Sequence, residues 1–196
     1  CFVLDLTATP KKESNIISYV DAVQLKNEHM VKLPVIVYNR DSQSEVLIDA
    51  IDLRNKLEEI ADAEYAKTGK YIRPIALFQA QPKGKEDATT FEKLRDKLVD
   101  AGIPAEQIAI RTADVNELKN TDLMSPSCPI RYIITVNALK EGWDCPYAYI
   151  LASLANKTSQ VDVEQILGRI LRLPHTSQHT QSALNMSYVL TSSNDF

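Results

Sequence analysis

The 196 residues, 44% of them hydrophobic and 24% charged, suffice for one folded domain with a sizeable core. A formal net charge of −4 excludes a strongly basic, non-specific nucleic-acid binder, while leaving room for a few backbone contacts inside a larger assembly. Cys1, Cys128 and Cys145 are too few and too scattered for a disulfide framework or a Cys-x-x-Cys metal pair, which fits a reducing, cytoplasmic setting. Apolar runs such as Ile130–Val136 fall far short of a bilayer span. The opening CFVLDLTATP has no basic leader and begins inside an apolar run, as expected of a piece of a longer chain.

In chain order, residues 2–6 (FVLDL) read as the end of a buried strand before the turn-prone Thr9-Pro10. A short helix is expected around Asp21–Asn27 and a strand over Leu33–Tyr38. From Ser44 to Thr68, Leu47, Ile51, Leu57, Ile60 and Ala61 recur at helical spacing, and Gly69 follows as a stop. The charge-rich part of that helix, from Asp52 to Lys70, reads as a solvated face. Pro74–Gln79 is a buried strand. Gly84 marks a surface loop, and Thr89–Ala101 is an amphipathic helix with Phe91, Leu94 and Leu98 on its apolar face. A short strand at Gln107–Arg111, a helix fragment and loop over Asp114–Ser127, and strands at Arg131–Val136 and Tyr149–Leu154 come next. Val161–Leu171 is a helix capped by Ser159 or Asp162, and Met186–Thr191 is the last strand. Strands alternating with helices predict an α/β fold with a mostly parallel sheet and helices on both faces.

Three segments carry chemistry. QILGRILR (Gln165–Arg172) puts Arg169 and Arg172 three residues apart on one helix face, with Gly168 leaving room for another surface. Such a pair is most often a solvated face, but two guanidiniums aimed the same way also suit a polyphosphate. ITVNALKEGWDCP places Asn137, Glu141, Gly142 and Asp144 after a strand, and open α/β sheets bind ligands beyond the carboxyl ends of strands. Trp143 there reads as a core plug. LTATP (Leu6–Pro10) offers Thr7 and Thr9 as a coupling element.

Taken in this order, the segments resemble superfamily 2 helicases. LTATP is similar to motif III, PIALFQAQ (Pro74–Gln81) to motif IV, ITVNALKEGWDCP to motif V and QILGRILR to motif VI. The run Glu141–Pro174 resembles the restriction (Res) subunit of type III restriction-modification systems. The resemblance implies a RecA-like second motor lobe over 31–196, with 1–30 as the tail of the first lobe and a linker. It implies an ATP and Mg²⁺ site held mainly by the first lobe, duplex DNA as the track, and a methyltransferase (modification) subunit as partner. It implies that Arg172 is an arginine finger and Arg169 its companion on the γ-phosphate, with Gln165, Gly142 and Asp144 near the nucleotide. Asn137 and Thr135 fall on the part that touches the nucleic-acid backbone, and Thr7 and Thr9 on the part that couples the two sites. The alternatives are a repair or phage-defence helicase without a nuclease, and a degenerate lobe kept for binding.

This sequence departs from the family in two places. Val136 stands where many members carry Thr, with Thr135 displaced by one residue, and the last motif reads Arg-Ile-Leu-Arg without the Gly often found before its final Arg. None of the five glycines fits G-x-x-x-x-G-K-[ST], so this chain supplies no phosphate-cradling loop and is expected to be inactive alone. His175 and His179 are expected in a loop or at the surface rather than on a metal, Cys145 as a packed thiol, and Lys83 and Lys85 at a basic loop tip.

Overall fold

The computed structural model describes residues 15–81, 90–136, 144–154, 166–168 and 170–192. Its strands are β1 (Val35–Asn39), β2 (Ile75–Gln79), β3 (Ile108–Ile110), β4 (Tyr132–Thr135), β5 (Ala148–Ser153) and β6 (Ser187–Thr191). They form one sheet in the order β1-β6-β5-β2-β4-β3, and every pair is parallel. This is an α/β fold with the parallel sheet of a RecA-like domain. The strand read at residues 2–6 lies outside the described residues.

Local sequence sets the helix ends. In α1 (Ala22–Asn27), Asp21 and Gln24 form a reciprocal capping box. For α2 (Gln43–Thr68), the Ser42 side chain accepts from the Glu45 amide, and Gly69 closes the helix at φ 70°, a conformation open to glycine at little cost. Thr90 caps α3 (Phe91–Asp100). No helix among the described residues is long and apolar enough to cross a membrane.

The sheet order decides which face each connection takes. From β1 to β2 and from β2 to β3 the chain moves in one direction across the sheet; from β4 to β5 and from β5 to β6 it moves back. Right-handed crossovers then put α2 and α3 on one face and the helical residues 166–168 and 170 on the other. Covered on both sides, β2, β4 and β5 are buried at every residue, which explains their continuous apolar runs. Between 15 and 30 no residue is buried, and Lys32 is the first that is.

Two regions differ from the sequence reading. Residues 114–127 form turns rather than a helix fragment. Thr112 and Asp122 side chains accept from the Val115 and Met124 amides, and Glu117 takes the Ile110 amide and Arg95. Short polar side chains that bind nearby backbone compete with helix in this way. The Arg73 guanidinium then holds the loop by donating to the carbonyls of Leu123, Ser125 and Ile130. The Asp52–Lys70 face is also less solvated than its charges suggest, because Arg54 and Glu64 are buried. Arg54 donates to the Pro74 carbonyl and pairs with Glu58, which also takes Arg131. Glu64 accepts from the Thr180 amide and hydroxyl.

Packing of α2 on the sheet rests on Leu57, 1% exposed, whereas Ile48 on the same helix is 55% exposed. Leu57→Ala is expected to cost about 2–5 kcal/mol and Ile48→Ala less than about 0.5 kcal/mol, read from urea unfolding midpoints. Equal losses at the two positions would contradict this packing.

Candidate functional site at the amino edge of the sheet

A parallel sheet has two chemically distinct edges, and the expected site residues divide between them. At the carboxyl edge, Thr135 ends β4 and Gln79 ends β2. Ser153 Oγ donates to Gln79 Oε1 at 3.1 Å, and the side-chain amides of Gln43 and Gln81 both donate to the Leu154 carbonyl, at 2.8 and 3.1 Å. These bonds tie the ends of β2 and β5 together. Thr135 is 1% exposed, so its hydroxyl is not offered to a nucleic-acid backbone at the surface. That corrects the reading of Thr135 as a surface contact: strand burial between β2 and β3 outweighs its polarity.

Asp144 lies at the opposite edge. It precedes β5 by a short turn, in which the Ala148 amide donates to the Cys145 carbonyl at 3.0 Å. β5 is six residues long, roughly 17 Å at about 3.3 Å per residue, so Asp144 and the carboxyl-edge residues are far apart. The reading that placed Asp144 beyond a carboxyl end is therefore corrected. The segment that starts at the carboxyl end of β4 finishes at the amino end of β5, because the two strands run parallel on either side of β2.

At this amino edge Asp144 meets Arg172. An Arg172 Nη1 to Asp144 Oδ2 contact of 2.5 Å joins the two, with the side chains 65% and 37% exposed. An ion pair this accessible is worth about 1 kcal/mol or less, so the guanidinium can exchange its carboxylate for another anion at small cost. The backbone of Arg172 is better held. Lys32 N donates to Leu171 O at 2.5 Å, Leu173 N donates to Met30 O at 2.9 Å, and Val31 and Arg172 face each other as an antiparallel bridge.

Lys32 completes the cluster, and the sequence reading missed it. It is wholly buried. Its Nζ donates to the carbonyls of Pro146 and Ala148 at 2.7 and 2.8 Å and sits 4.2 Å from the centre of the Tyr149 ring. Burial pushes its pKa from 10.5 down to about 7, with Cys145 and Asp144 pulling the other way. Burial likewise pushes the Cys145 thiol up to about 11, so Cys145 is packed and protonated, as expected from sequence. A single lysine before an apolar strand has no pattern that separates it from surface lysines.

Gly168 is helical and exposed, and a Cβ built on it would meet nothing within 4 Å. Among the described residues no packing therefore demands glycine there. His175 is exposed and His179 lies in a loop, as expected; the His179 ring is buried, 3.7 Å from Glu64 and edge-on to His175. Burial holds His179 below its ordinary 6.5, with Glu64 acting against it. Among the described residues no group of three His, Cys, Asp or Glu side chains could hold a metal ion. Thr7, Thr9, Asn137, Glu141, Gly142, Trp143, Gln165 and Arg169, and the loop tip at Lys83 and Lys85, lie outside the described residues. Comparison with protein-family models and with curated proteins gives no match for this chain.

Lys32 makes stability depend on pH. Between about pH 7 and the ordinary 10.5 the folded chain holds fewer protons at Lys32 than the unfolded chain, so stability rises with pH across that window. Cys145 opposes this above pH 9, where the unfolded thiol ionises and the folded one stays protonated to about 11. His179 has finished by then, its folded pKa lying below 6.5. From about pH 7.5 to 8.5, unfolding free energy is expected to rise by about 1 kcal/mol per pH unit, and Lys32→Met is expected to flatten that slope. Denaturant titrations at both pH values check it, and equal slopes in the two proteins would remove Lys32 as the source.

Proposed function

We propose that this chain is the second RecA-like lobe of an ATP-driven superfamily 2 DNA helicase or translocase, of the kind that includes type III restriction subunits. The observation that carries the reading is the meeting of Asp144 and Arg172. They come from the two segments with the strongest motif resemblance, V and VI, and an exposed guanidinium joins them at one edge of the sheet. Gly168 adds support. Glycine inside a helix costs roughly 0.5–1 kcal/mol relative to alanine, and nothing among the described residues needs the space. A surface from outside the chain, such as a first motor lobe, accounts for it.

In this reading Arg172 trades Asp144 for a phosphate oxygen when the lobes close. Its permanent charge and forked donors then meet charge that develops as the phosphoryl group leaves. Arg169 and Gln165 belong to the same sequence motif and are proposed to act with it. The nucleotide supplies the phosphoryl group and Mg²⁺ screens its oxygens, both held mainly by the first lobe. Asp144 parks the finger between cycles: its pairing keeps the guanidinium at the edge without burying it. Asn137, assigned from its motif alone, is the proposed DNA-backbone contact, and a modification subunit selects the site. Net charge of −4 agrees with a lobe that grips DNA only as part of the assembly.

DNA-stimulated ATP hydrolysis by the intact protein tests the assignment. Arg172→Ala is expected to lower the turnover rate about a thousandfold with nucleotide still bound. An unchanged rate would take Arg172 out of the chemistry. Gly168→Ala is expected to raise unfolding stability by roughly 0.5–1 kcal/mol while lowering hydrolysis, because the added methyl meets the other lobe. A variant that is both more stable and fully active would show that no surface closes on Gly168.

A further inference from the structure

Four features converge on one residue at the amino edge. The stretch Met30–Lys32 runs antiparallel to Leu171–Leu173, bonded on both sides of the Val31–Arg172 bridge. The Lys32 amide makes one of those bonds, so the backbone of Lys32 is fastened to the segment that carries Arg172. Its side chain runs the other way, to the carbonyls of Pro146 and Ala148, in the turn that carries Asp144. The ammonium is fully enclosed and rests on Tyr149, so water cannot substitute for those two acceptors.

We infer that Lys32 is a positioning residue that sets the distance between the Arg172 segment and the Asp144 turn, and thereby aims the Arg172 guanidinium. This rests on the proposed role of Arg172 at a phosphate. Lys32 itself touches no ligand: its side chain is sealed beneath the edge, while Arg172 is 65% exposed above it. The chemistry is specific to an amino group. Charged or neutral, its N–H donors reach both carbonyl acceptors, whereas an apolar side chain of the same length takes that donor away from both. None of residues 15–31 is buried, and they join the lobe at Lys32, so any pull on that segment reaches Arg172 through the same bonds.

The test is a double-mutant cycle in the intact protein. Lys32→Met is expected to lower the hydrolysis turnover about tenfold to a hundredfold with the Michaelis constant for ATP nearly unchanged, since a misplacement of about 1 Å can cost that much. In an Arg172→Ala background the same change is expected to have less than about a twofold effect, because the group it aims is gone. Equal losses in both backgrounds, or no loss in either, would overturn the inference. Lys32→Gln, which keeps one amide donor, is expected to fall between wild type and Lys32→Met and serves if Lys32→Met does not fold. Hydrogen exchange supplies a readout that does not depend on catalysis. The Lys32 and Leu173 amides and the turn at Ala148 are expected to lose protection together in either variant, while those of β2 keep theirs. If Arg172→Ala leaves hydrolysis intact, the motor reading fails, and the exchange result alone decides whether Lys32 couples the two segments. Unchanged protection at Leu173 would refute that coupling.

Discussion

An all-parallel sheet covered on both faces leaves its backbone polar groups only each other as partners, and that constraint orders the rest of the molecule. β2, β4 and β5 are buried along their whole lengths, so side chains there are mostly apolar and a polar atom is costly to leave unpaired; the Tyr132 hydroxyl on β4, which has no partner among the described residues, carries that cost. Polar chemistry is driven to the ends of the strands. At the carboxyl edge, Gln43, Gln79, Gln81 and Ser153 close on strand ends and on the Leu154 carbonyl. At the amino edge, Lys32 closes on the turn that enters β5, and Arg172 stands over it.

The buried charges divide by what they grip. Arg73 spends its donors on three loop carbonyls, and Glu64 accepts from both polar groups of Thr180; each fixes a connection to the sheet. For Glu64, burial works to raise the pKa, but the Thr180 bonds outweigh it and hold the carboxylate below its ordinary value. Lys32 differs because it joins two segments that both carry candidate site residues. A buried amino group must keep its donors paired, and this one lies between the segments that carry Asp144 and Arg172.

The two edges also suit a division of labour. Arg172 is held by its backbone and left free at its head, an arrangement that keeps a charge accessible without letting it wander. Thr135 is the reverse, polar but enclosed. In the motor reading, one edge meets the nucleotide and the other the track, and the sheet between them is the rigid body that carries motion from one to the other.

Much of this was legible in the sequence because it depends on local rules. Helical spacing from Leu47 to Ala61, with Gly69 after it, placed α2 at 44–68, one residue from its observed start. Unbroken apolar runs marked β2, β4, β5 and β6, since strands buried on both faces need no alternation. The Gln165–Arg172 spacing and the Gly-Trp-Asp run named Arg172 and Asp144 as candidates before any geometry was available. What the sequence could not decide was everything set by strand order. The edge on which Asp144 falls follows from β5 lying beside β2 and running parallel to it, a long-range choice with no local mark. The burial of Thr135, His179, Arg54 and Glu64 depends on what packs over them, and Lys32 matters only because folding brings residues 114 and 116 positions away in the chain to its ammonium. Local pattern determines which elements form; only tertiary packing, which pairs groups distant in the chain and removes water from between them, decides which side chains become a site.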